Sequence, residues 1–151
     1  MDFEELLIET EGSGLIIKEK PLKANAGRIR GNRIAIKSDL ASVEKSCVLA
    51  EELGHYYTST SDILDQADTG NRKQERHARL WAYNHLIGLH GIIQAYQRRC
   101  QSLSETAEFL NVSEDFLSDA LELYRQKYGQ KVELDNYIIF FEPGLAVMEK
   151  L

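Results

Sequence analysis

Ser46-Cys47-Val48-Leu49-Ala50-Glu51-Glu52-Leu53-Gly54-His55-Tyr56-Tyr57 is the stretch on which the reading of this chain turns. Its centre, Glu51 to His55, is the pattern H-E-x-x-H with the first histidine replaced by glutamate. On a helix, positions i and i+4 share a face, so Glu51 and His55 can reach one point, and Glu52 projects beside it. That is the layout of two metal ligands and a general base. Val43, Cys47, Ala50, Gly54 and Tyr57 recur at helical spacing and predict a helix over 40–57 with a packing face. Gly54 costs that helix about 1 kcal/mol relative to alanine. A glycine there implies that a neighbouring helix or a sheet comes close.

Upstream, Asp2 to Ile8 predicts a short amphipathic helix with Phe3, Leu6 and Leu7 on one side. Leu15 to Lys20 predicts a strand ended by Pro21. Arg28–Arg30 and Arg33–Ile36 alternate about Gly31-Asn32, a hairpin signature, so a small antiparallel sheet precedes the helix. Downstream, 58–70 is polar and reads as a surface loop. Asn71 with Gln74 is a capping box that predicts a helix over 72–89, with Ala78, Trp81, Ala82, His85 or Leu86, and Leu89 at its apolar positions. After Gly91 come helices at 92–100, 106–110 and 114–128, then a hairpin of 131–134 with 137–141 about Asp135-Asn136, closed by Pro143 and Gly144. Sheet then helices is an α+β pattern.

The 151 residues suit one domain, or one with a small appendage, and 43% hydrophobic residues suffice for a core. No apolar run is long enough for a membrane span, and the acidic start MDFEELLIETEG is unlike a secretory signal, so a cytoplasmic location is expected. Net charge is −6, a poor match to nucleic-acid phosphates. Cys47 and Cys100 make neither a disulfide framework nor a thiolate metal site and read as packing residues.

A catalytic zinc takes three protein ligands and leaves one position open. Glu51 and His55 supply two. Glu75, in the first turn of the following helix, is placed to supply the third; His77, His85 and His90 are alternatives. His77, two residues from Glu75, points to a different helix face. An acidic amphipathic helix also yields E-E-x-x-H by chance, and a single helical histidine is more often a packing or surface residue.

Two blocks together carry a resemblance: Cys47-Val48-Leu49-Ala50-Glu51-Glu52-Leu53-Gly54-His55-Tyr56-Tyr57, and Arg72-Lys73-Gln74-Glu75 with Ala78, Trp81 and Ala82. The chain resembles the ImmA/IrrE family of metallopeptidases, in particular short members from prophages and mobile elements of Gram-positive bacteria. The second block looks like that family's E-x-x-A-x-x-[FW]-A pattern. The resemblance implies a minimal zincin-like fold, with the sheet packed on an active-site helix pair within 1–91. A helix-turn-helix-like segment with a C-terminal hairpin would fill 92–151. It implies zinc, or another divalent metal, held by His55 and Glu75, and Glu52 as the catalytic base toward a metal-activated water. Glu51 stands where the family has histidine. Carboxylates do ligate zinc, but two of them cancel its formal charge and should acidify its water less. The implied activity is a zinc-dependent endopeptidase that cleaves a helix-turn-helix repressor. The alternative is a weak or inactive relative that inactivates the repressor by binding it.

Arg33 to Lys37, leading into the helix, is the candidate strand for holding substrate by strand addition, and 58–70 a candidate lid. Ala107, Leu110, Val112 and Leu117 fall at helix-turn-helix core positions, yet the second helix begins with Glu114, Asp115 and Asp119 and adds Glu122. Such a helix repels phosphates, so the segment reads as a scaffold or protein-docking module with no direct nucleic-acid role. No membrane partner is expected, and the sequence leaves the oligomeric state open.

Overall fold

Alternate isoleucines decide where the first sheet sits: within Arg33–Lys37, Ile34 and Ile36 turn inward, 2% and 0% exposed. In the computed structural model, residues 1–59 and 68–151 are described, and the chain divides into two units, Met1–His85 and Leu86–Leu151. The first contains α1 (Phe3–Glu9), β1 (Ile16–Lys20), β2 (Gly27–Arg30), β3 (Arg33–Lys37), α2 (Ser42–Thr58) and nearly all of α3 (Asp68–Leu86). Asp2 caps α1 by accepting a hydrogen bond from the Glu5 amide at 2.8 Å. The β2–β3 hairpin is antiparallel, as its alternation predicts, and Gly31 supplies the positive φ (+56°) that its two-residue turn needs. β1 joins the far side of β3 in parallel, giving the order β1-β3-β2. With both inward positions buried, β3 is the central strand.

This corrects the expectation for substrate binding. β3 is hydrogen-bonded on both sides and cannot accept a further strand. The strand that lies against α2 with an edge outward is β2.

α2 forms where its spacing predicts and covers the sheet. Leu49, Ala50 and Leu53 are at most 2% exposed, each leucine contributing about 1.5–3 kcal/mol by burial. The expected packing face shifts at its ends: Val43 is half-buried and Tyr57 exposed, while Ser46 and Leu49 are buried. α3 begins at Asp68, so Asn71 lies inside the helix and does not cap it. Most of the proposed lid, residues 60–67, lies outside the described residues.

The second unit contains α4 (Gly88–Gln97), α5 (Leu103–Leu110), α6 (Glu114–Tyr128), β4 (Lys131–Leu134), β5 (Tyr137–Phe140) and β6 (Ala146–Glu149). The break expected at Gly91 falls at Ile87, immediately before Gly88, whose φ of +64° L-residues rarely adopt. Gly91 lies inside α4, where a Cβ would come within 3.2 Å of the Leu110 side chain. Ser102 and Ser113 cap α5 and α6, and Asn111 makes the left-handed turn between them (φ 58°). Ala107, Leu110, Val112 and Leu117 are buried, as the helix-turn-helix reading requires. β6, which pairs antiparallel with β5, was not anticipated from the sequence. Cys47 is buried and Cys100 half-buried, and neither is in a disulfide among the described residues. No described helix is long and apolar enough to cross a membrane.

On α6, Glu122 accepts two hydrogen bonds from Arg125, at 2.6 and 3.0 Å, and Arg125 also donates to Glu142 at 2.9 Å. Those bonds, with one from Gln126, lower the Glu122 carboxyl from the ordinary 4.5 to about 2. Its folded value is depressed, so its stabilisation is present above about pH 4.5 and lost as pH falls through 2. Urea midpoints of wild type and Glu122→Gln should therefore differ at neutral pH and converge near pH 2. A difference that does not vary with pH would refute this.

Candidate active site

The site begins at Gly54, where α2 and α3 touch. A Cβ on Gly54 would stand on the carbonyl oxygen of Ala78 and 3.3 Å from its Cα. The close neighbour implied by that glycine is therefore the backbone of α3. This contact aligns one face of α2 with one face of α3. His55 Nε2 comes to 3.4 Å from Glu75 Oε2, both side chains about a third to a half exposed. Two ligands on one tetrahedral zinc, with bonds of 2.0–2.1 Å, stand roughly 3.3–3.4 Å apart. The pair has the spacing of two donors to a shared ion.

Glu51 and Glu52 leave the helix in different directions. The Glu51 carboxyl is raised above the ordinary glutamate value. Burial is the main cause, the negative charges of Glu52 and Glu75 add to it, and Arg79 and His55 oppose it. Glu52 lies beside the sheet: a Cβ on Gly27 of β2 would meet Val48 Cγ1 at 2.6 Å and Glu52 Oε1 at 3.2 Å. Only glycine lets β2 come this close to α2. Burial raises the Glu52 carboxyl too, with Glu75 adding and His55 opposing. A raised value makes a carboxylate a stronger base, as general-base work requires.

Arg79 completes the surroundings. Its Nε donates to Glu75 Oε1 at 3.2 Å, across one turn of α3. It was not singled out from the sequence, although its i,i+4 spacing from Glu75 was the available signal. Gly27 was missed as well, because nothing local in AGRIR ties it to Glu52.

The structure thus brings Glu51, Glu52, His55 and Glu75 into one electrostatic neighbourhood. His77 and His90 are exposed on the surface. His85 is bonded to Glu9 at 2.9 Å and stacked on Trp81 at 4.6 Å, partners other than Glu51, His55 and Glu75. Trp81 also packs against Tyr57.

The donors fit a divalent cation in kind, and the His55–Glu75 pair fits one in spacing. Among the described residues, however, no three His, Cys, Asp or Glu side chains close into a group able to hold a metal ion. Glu51 is the side chain that would complete the set.

No curated protein matches the chain. A family match covers residues 10–122, from before β1 into α6, and so includes both sequence blocks and the helices that carry them. That family is the IrrE N-terminal-like domain (Peptidase_M78), and this chain belongs to it, within the ImmA/IrrE metallopeptidases.

Proposed function

We propose that this protein is a metal-dependent endopeptidase that cleaves a helix-turn-helix repressor of a prophage or mobile element. The observation that carries the reading is the 3.4 Å approach of His55 to Glu75 beside Glu52. His55, Glu75 and Glu51 would hold the metal, zinc or a harder divalent ion. When bound, it would polarise the scissile carbonyl and acidify water. Glu52 takes the proton from the attacking water and returns it to the leaving amine. The substrate backbone adds to the outer edge of β2, whose Gly27 passes directly over Glu52.

A second reading has its own observation. Glu51 replaces a histidine, Arg79 already pairs with Glu75, and the described donors form no closed three-ligand group. In that case the protein inactivates its partner by holding it, without a cut.

One experiment separates the two. A candidate helix-turn-helix repressor is incubated with wild type, Glu51→Ala and Glu51→His, and both metal content and cleavage products are measured. The peptidase reading expects a single chelator-sensitive cut, weaker metal binding in Glu51→Ala, and retained or tighter binding in Glu51→His. Metal content unchanged in Glu51→Ala removes Glu51 from the ligand set. An intact repressor bound by metal-loaded wild type favours the binder.

A further inference from the structure

Seven of the chain's 18 basic residues lie between Lys18 and Lys37: Lys18, Lys20, Lys23, Arg28, Arg30, Arg33 and Lys37. The only acid among them is Glu19, so this stretch carries +6 in a chain whose net charge is −6.

The strands turn these charges to one face. Arg33 pairs with Ile16 on one side and Arg30 on the other; Ala35 pairs with Lys18 and Arg28; Lys20 pairs with Lys37. Glu19 points to the opposite face, where Lys45 holds it at 2.5 Å. On the outer face Lys37 has Asp39 at 3.7 Å. Lys18, Lys20, Arg28, Arg30 and Arg33 are exposed, and among the described residues they enter no ion pair. With Ile16, 42% exposed, they line a concavity of about 250 Å³.

This arrangement works against folding. Arg30 faces Arg33 and Lys20 faces Lys37 across strands, and like charges directly opposite are destabilising. A sheet face kept at that cost points to a partner that neutralises it.

We propose that the outer face of β1-β3-β2 is a docking surface for an acidic polypeptide segment of a partner protein. Charge complementarity supplies the attraction. Ile16 and Ala35, set among the bases, match the apolar residues of an acidic, alternating segment, and a phosphate backbone has nothing to place there. The face carries no aromatic ring, so it lacks the stacking platform of single-strand nucleic-acid sites. The inference goes beyond the peptidase reading and stands without it.

The test uses the full-length protein and three labelled probes: a twelve-residue peptide alternating Glu and Val, a twelve-base-pair DNA duplex, and a single-stranded oligothymidine. Anisotropy should show that the peptide binds and that Arg28→Glu/Arg30→Glu weakens it by at least about tenfold, as does raising the salt from 50 to 500 mM. The Arg30→Glu change makes an attractive cross-strand pair with Arg33, so Tm should not fall. Should it fall, Arg28→Gln/Arg30→Gln is measured in its place, with the same weakening expected. The proposal is overturned by a wild-type protein that does not bind the peptide, or by binding indifferent to Arg28 and Arg30. It is equally overturned by either DNA binding more tightly than the peptide at physiological salt, which would make the face a nucleic-acid surface.

Discussion

Glu52→Gln is expected to lower repressor cleavage by about 10²–10⁴-fold while leaving the protein folded and its partner bound. Glutamine keeps the shape of glutamate and its contact beneath Gly27, but it cannot take a proton. Glu52 is not among the three donors proposed to hold the metal, so metal content should not change. The assay is cleavage of a candidate helix-turn-helix repressor in a co-expressing strain, read by product mass and by derepression of a reporter. Lost cleavage with repressor still bound supports the peptidase. Derepression that persists in Glu52→Gln without any cut sinks it and leaves the binder.

Gly54→Ala is expected to lower the stability of the N-terminal unit by about 2 kcal/mol. Helix propensity alone predicts the opposite sign, a gain of about 1 kcal/mol. Contact decides otherwise. The added methyl would overlap the carbonyl oxygen of Ala78, and neither atom ends a flexible side chain. One helix must move from the other, and overpacking of this kind costs typically 1–3 kcal/mol or more. Tm should fall by roughly 5–10 °C. The same movement draws Glu75 away from His55, so metal affinity should fall further than the stability loss accounts for. A Tm equal to or above wild type would show that the α2–α3 contact is looser than this.

Much of the fold was legible because the signals are local. Ile34 and Ile36 alternate with Arg33, Ala35 and Lys37, so they announce a strand and its inward face. The start of α6 at Glu114 falls where the sequence places it, whereas α5 starts at Leu103 behind its Ser102 cap, three residues earlier than expected. Ala107, Leu110, Val112 and Leu117 carry the helix-turn-helix core in their spacing. The misplacements are local competitions that another residue won. The helix breaks at Ile87, beside Gly88 rather than Gly91, because Gly88 is the glycine that takes the positive φ. β6 follows a Pro-Gly pair that looks like an ending.

By itself the sequence determined most of the elements, though not β6, the α+β pattern, and the placing of Glu51, Glu52 and His55 on one helix, with Glu75 on the next. All of these rest on periodicity, capping and helix geometry within a few residues. Only the tertiary structure decided what those side chains meet. β1 pairs in parallel with β3 and leaves β2 as the edge beside α2, because strand order follows burial across the sheet. Gly54 admits the backbone of α3, which sets His55 3.4 Å from Glu75. Gly27 lays β2 against Glu52. The α2–α3 and β2–α2 contacts join residues 20 or more apart in sequence. Packing supplies that proximity, and no local pattern encodes it.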